Sequence, residues 1–88
     1  MNTLELLKQL ITFPTVSKDS NLDLIEFIED YLRKLEIPST RVPNSKGTKA
    51  NLYATVGPVE EGGVILSGHT DVVPVEAQPW DTDPFLLT

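Results

Sequence analysis

The residues best placed to do chemistry lie in the stretch Ser67-Gly68-His69-Thr70-Asp71-Val72-Val73-Pro74. His69 and Asp71 are two apart, so in extended backbone their side chains point to one side. An imidazole that ligates a metal must keep a lone pair on one nitrogen, and a carboxylate on the other nitrogen fixes tautomer and ring orientation. His69 as a zinc ligand with Asp71 as its orienter is therefore a chemically sensible pair. Gly68 allows backbone or ligand to approach closely just before the histidine. His-x-Asp is a short pattern, however, and a loop histidine with local hydrogen bonds, or Asp71 capping a turn, would produce it as well.

The elements that must position this loop follow from periodicity and punctuation. Asn2 and Glu5 have capping-box spacing, and Leu4, Leu7 and Ile11 recur at helical intervals with Leu6 and Leu10 widening the stripe. Pro14 is expected to end this first helix, because proline lacks an N–H and disfavours helix at Phe13. A second helix is expected from an N-cap at Ser20, with Asp23 at its third position. Leu22, Ile25, Ile28, Leu32 and Leu35 form its apolar face, and Ile37-Pro38 ends it. Such a face is expected to pack on a sheet.

The remaining elements read as short strands. One is expected over residues 40–42, up to Pro43, and another over residues 51–56, with Leu52, Ala54 and Val56 on one face. Residues 44–47 are a turn by composition, and residues 60–63 (Glu-Glu-Gly-Gly) a solvated loop. Residues 64–66, Val-Ile-Leu, are apolar on both faces, as in a buried central strand. That strand would deliver His69 to the crevice at its end, where open α/β sheets bind ligands. Residues 85–88 look like the start of a further strand. Two helices followed by several strands imply an α/β layered fold.

Bulk properties narrow the function classes. The chain has 88 residues and a formal charge of −6, from 13 acidic and 7 basic side chains. That field repels a polyanion, and Lys46 and Lys49 around Gly47 read as a solvated loop, so nucleic-acid binding is rejected. With no cysteine there is neither a disulfide framework nor a thiolate zinc site. No basic-then-apolar leader opens the chain, and apolar runs reach three residues against the ~20 of a membrane helix. A soluble protein of the reducing cytoplasm is expected.

Two flanking patterns give the loop its meaning. Gly68-His69-Thr70-Asp71-Val72-Val73-Pro74, followed by Trp80-Asp81-Thr82-Asp83-Pro84-Phe85, resembles the first metal motif of the di-zinc aminoacylase and carboxypeptidase G-type hydrolases. Phe13-Pro14-Thr15-Val16-Ser17 resembles the family's start. The resemblance implies that His69 ligates one of two zinc ions per subunit, with cobalt a possible substitute, and that Asp71 is the catalytic-site residue orienting it. It further implies that residues 1–88 are the N-terminal part of a three-layer α/β/α catalytic domain with a mixed sheet. The rest of that domain and a smaller dimerisation domain would lie outside these residues, as would the bridging aspartate, general-base glutamate, further acidic ligand and final histidine.

The implied reaction is hydrolysis of a small-molecule N-acyl amino acid by a homodimeric parent. The wording of residues 75–80 favours N-acetylornithine, with succinyl-diaminopimelate, other N-acyl amino acids and dipeptides as alternatives. A non-catalytic interaction or structural module is the alternative of another class. Composition agrees that these 88 residues are inactive alone. Catalytic zinc takes about three protein ligands, and His69 is the one histidine. Glu76 reads as a solvated loop carboxylate, Trp80 as an anchor for the long loop, and Asp81, Thr82 and Asp83 as turn residues. Tyr31 and Tyr53 are expected at core edges, hydroxyls outward.

Overall fold

A computed structural model describes residues 1–58 and 62–88. Its elements, in order, are helix α1 (Thr3–Ile11), helix α2 (Leu22–Lys34) and strands β1 (Ser39–Pro43) and β2 (Ala50–Ala54). Helix α1 begins as its sequence predicts. The Asn2 carboxamide accepts from the Glu5 N–H at 2.8 Å and the Glu5 carboxylate accepts from the Asn2 N–H at 3.3 Å, so both halves of the capping box are made. The helix stops at Ile11, earlier than Pro14 requires, because the Thr12 N–H closes the last turn onto Gln9 and Leu10.

Helix α2 departs from expectation at its start. Asn21, not Ser20, is the N-cap, and its side chain makes no capping bond. The Ser20 hydroxyl instead accepts from the Leu22 N–H at 3.2 Å, satisfying one of the free donors at the helix end. At the other end, Glu36 takes the left-handed conformation at φ 60°. The Glu36 N–H bonds the Arg33 carbonyl at 3.0 Å and the Ile37 N–H reaches back to the Leu32 carbonyl at 2.9 Å, the paired bonds of a Schellman motif. A side chain at that position is strained by its Cβ. Glu36→Gly is accordingly expected to stabilise the fold by about 1 kcal/mol, read as a higher denaturant midpoint at unchanged m-value.

Strands β1 and β2 form an antiparallel hairpin in the register Ser39↔Ala54 through Pro43↔Ala50. The turn between them is pinned by Asn44, whose side chain accepts from the Thr48 and Lys49 N–H groups at 3.0 and 3.2 Å. Helix α2 packs on this hairpin, and Glu29 on the helix pairs with Arg41 on β1. On β2 the inner face is Ala50, Leu52 and Ala54, as the alternation predicts. Val56 lies past the strand's end and is exposed.

The core is small. Among the described residues the buried apolar side chains are Val16, Leu24, Ile25 and Ala50, with Ile25 most deeply covered. Leu24 belongs to this core although the expected apolar face omits it, while Leu35 at the far end of that face is exposed. Phe13 and Phe27 pack edge-tilted, centroids 5.5 Å apart, joining the segment after α1 to α2. Leu4 and Leu7 of α1 are uncovered.

Two strand expectations are corrected. Residues 64–66 form no strand, and Val64, Ile65 and Leu66 are 86, 85 and 91% exposed. Three consecutive apolar residues state a preference for burial without supplying a partner, and β1 and β2 pair with each other. Residues 85–88 are likewise turn and irregular: Asp83 caps the turn by accepting from the Phe85 N–H at 2.9 Å. The described residues form a mixed α/β unit with one two-stranded antiparallel sheet. The expected loop at 60–63 falls partly outside the described residues.

Surface magnitudes show how open this unit is. Its accessible surface is 7245 Å², whereas a closed protein of 9.7 kDa exposes about 5,100 Å². Its radius of gyration is 15.0 Å, against about 12 Å for a self-contained domain of this length. No helix among the described residues is long and apolar enough to cross a membrane.

Candidate metal-ligating site

Since residues 64–66 are not a strand, the His69 loop is held by other means. After Pro14 the chain forms a single parallel β-bridge, Val16 to Val72, and turns at Ser17. The Val72 N–H donates to the Thr15 carbonyl at 2.9 Å and the Ser17 N–H donates to the Val72 carbonyl at 3.0 Å. The Thr15 and Ser17 side chains both meet the loop. The buried Thr15 hydroxyl donates to the Thr70 carbonyl at 2.5 Å, and the Ser17 hydroxyl donates to Asp71 Oδ2 at 2.8 Å.

Asn21 supplies the second tie. Its Nδ2 donates to the Ala50 carbonyl at 2.9 Å and to Thr70 Oγ1 at 3.0 Å, while its Oδ1 accepts from the Ala50 N–H at 3.0 Å. One side-chain amide thus behaves toward Ala50 as a neighbouring strand would, and joins α2, β2 and the loop at one point. Lys49 adds a third tie through its ammonium group to the Ser17 carbonyl. Its reading as a solvated loop lysine is corrected accordingly.

On this frame the two site residues meet as the His-x-Asp spacing predicts. His69 Nδ1 lies 3.0 Å from Asp71 Oδ1 and 2.9 Å from the Asp71 carbonyl oxygen. Both neighbours are acceptors, so Nδ1 carries the proton and, in the neutral ring, Nε2 keeps its lone pair. The His69 side chain is 85% exposed, which leaves that lone pair open to a ligand. A neutral imidazole oriented by a carboxylate is the donor chemistry zinc takes, so His69 fits one coordination position. Among the described residues no group of three His, Cys, Asp or Glu side chains is gathered for a metal. Glu76, Asp81 and Asp83 are exposed and stand apart from the pair. The pair borders a cleft of ≈990 Å³ that Ile25, Leu52, Lys49 and Asn21 also line.

The Asp71 carboxyl is held below its usual range, first by the hydrogen bond from Ser17 and then by the one from His69. It is therefore ionised at neutral pH and remains an acceptor for Nδ1–H. A carboxylate whose folded pKa is depressed contributes stability that is complete above its unfolded pKa of about 3.9 and disappears as pH falls through the folded value. Asp71→Asn should remove that group's share of the acid limb. Unfolding free energy measured from pH 5 down to pH 2 is expected to fall less steeply in the variant, by up to one proton's worth of slope.

Trp80 is half-exposed and, with Phe13, Leu24, Val75 and Phe85, lines an adjoining apolar cleft of ≈420 Å³ that His69 and Thr70 also border. It anchors the loop partly, as expected, with the rest of the indole uncovered. Tyr31 lies at a core edge and Tyr53 is exposed.

Comparison with known proteins shows similarity to a part of acetylornithine deacetylases. It is 41% identical to an acetylornithine deacetylase of Photorhabdus laumondii over 97% of its own length. It is 41% identical to that of Proteus mirabilis and 36% identical to that of Shigella sonnei, again over 97%. In each case the match covers 24% of the relative, so the chain spans about a quarter of the length of these proteins. No protein-family model matches the chain, and no solved structure does. The resemblance read from the two loop motifs thus extends over nearly the whole sequence.

Ser17, Thr15 and Asn21 are the site residues that the sequence reading did not assign. A signal for one was present: Ser20 and Asn21 are both good N-cap residues, and one helix start needs one, which leaves the other available for a tertiary contact.

Proposed function

We propose that this chain forms part of the catalytic domain of a zinc-dependent amide hydrolase that converts N-acetylornithine and water to ornithine and acetate. The observation that carries the reading is the His69–Asp71 pair, fixed with Nε2 open, within a chain similar to acetylornithine deacetylases over 97% of its length.

His69 would hold one of two zinc ions through Nε2, and cobalt is a workable substitute. When bound, zinc supplies electrophilic polarisation of the amide carbonyl and lowers the pKa of water. The chain's own residues do the positioning. Asp71 keeps the Nδ1 proton in place, Thr15 and Asn21 hold Thr70 between the pair, and the cleft beside them gives a small acyl amino acid a place of suitable size. With His69 as the single histidine, the other ligands and the general base come from sequence outside these 88 residues. In the parent, further chain would cover the surplus surface of the unit, and the parent would be a homodimeric cytoplasmic protein.

The test is an assay of the whole zinc-loaded protein on N-acetylornithine, succinyl-diaminopimelate and a dipeptide. Release of ornithine at the highest kcat/KM supports the proposal. Preference for another of the three would move the substrate assignment, and inertness toward all would remove the hydrolase reading.

A further inference from the structure

The Asp71 carboxylate is shared between two donors: His69 Nδ1 at Oδ1, 3.0 Å, and the Ser17 hydroxyl at Oδ2, 2.8 Å. Asp71 is more than half exposed, so packing does not fix the rotation of its carboxylate. Ser17, by contrast, is fixed through backbone, because its N–H is bonded to the Val72 carbonyl and the Val16–Val72 bridge lies beside it. Its hydroxyl also reaches the Val72 carbonyl at 3.2 Å, leaving one proton that chooses between two acceptors on the same strand of the loop. The charged acceptor at the shorter distance is favoured.

We propose that Ser17 is a positioning residue for the metal ligand: by holding Oδ2 it aims Oδ1 at His69 Nδ1, and so selects the tautomer that leaves Nε2 free. The inference rests on the zinc reading for its consequence, but its immediate effect is on the imidazole. Without the Ser17 hydroxyl the Asp71 carboxylate can rotate into solvent, and Nδ1–H loses its charged acceptor, keeping only the Asp71 carbonyl oxygen at 2.9 Å. Groups that orient a metal-bound histidine typically contribute about 10–100-fold to metal affinity, and Ser17 acts one bond further out.

The experiment uses Ser17→Ala, Ser17→Thr and His69→Ala with two readouts. The first is the ¹⁵N spectrum of the His69 imidazole in metal-free protein, at a pH where the ring is neutral. The parent is expected to show the Nδ1–H form, Ser17→Ala a shift toward Nε2–H, and Ser17→Thr the parent pattern. The second is zinc affinity by chelator competition in the whole protein, expected to fall about tenfold in Ser17→Ala and to return in Ser17→Thr. Thermal unfolding of the three variants separates this from a general loosening, which would not be rescued as a tautomer. An unchanged tautomer ratio in Ser17→Ala overturns the inference. If the tautomer shifts but His69→Ala leaves zinc affinity unchanged, the zinc reading fails while the role of Ser17 toward the imidazole stands.

Discussion

His69→Ala, made in the whole zinc-loaded protein, is expected to weaken zinc binding by at least about a hundredfold, the upper end of what loss of a mere outer partner costs. Hydrolysis of N-acetylornithine should fall with metal occupancy. The reason is that Nε2 is the open donor of the oriented pair, and among the described residues no group of three His, Cys, Asp or Glu side chains is gathered to replace it. Because the side chain is 85% exposed and bonds only within its own loop, the fold should be untouched. Circular dichroism and the unfolding midpoint should match the parent. Competition against a chromophoric chelator measures the affinity directly, and parent-like zinc retention by the variant would remove His69 from the site.

The largest stability effect is expected at a residue with no part in ligation. Asn21→Ala deletes three hydrogen bonds and strands the N–H and carbonyl of the buried Ala50. At roughly 1 kcal/mol each, and more where a buried group is left unpaired, the loss is about 3 kcal/mol. An 88-residue domain has only some 4–13 kcal/mol in total, and this one is at the poor end because its core among the described residues is four apolar side chains and its surface is large. Asn21→Asp keeps the acceptor for the Ala50 N–H and loses both donated bonds, so its cost should lie between alanine and the parent. Urea midpoints of the three proteins check the order. A midpoint for Asn21→Ala within experimental error of the parent would contradict the clamp.

The comparison of sequence with structure divides along a physical line. Features set by neighbours in the chain were legible: the Asn2–Glu5 capping box, the turn at Asn44, the inner face of β2, and the approach of Asp71 to His69 two residues away. Features that need a partner far along the chain were not. Residues 64–66 have the composition of a buried strand, but a strand exists only where another pairs with it, and composition does not name the partner. The same holds for the clamps. Ser17 meets Asp71 across 54 positions and Asn21 meets Thr70 across 49, through side chains whose types are equally at home in turns and caps. The contact between His69 and Asp71 could therefore be read locally, and the scaffold that holds the pair could not. The Schellman end of α2 lies between: Ile37-Pro38 marks a stop, yet the left-handed residue is Glu36, which carries no glycine signal.

These features give the loop a defined job. Two short segments, residues 15–17 and the amide of Asn21, hold residues 70–72 from one side, and the imidazole faces the open side. The measurement that tests this most directly is an anomalous difference map at the zinc edge from crystals of the zinc-loaded whole protein. The arrangement predicts a peak about 2.0–2.1 Å from His69 Nε2, with Nδ1 still bonded to Asp71. A zinc peak on Nδ1, or one remote from His69 altogether, would contradict it.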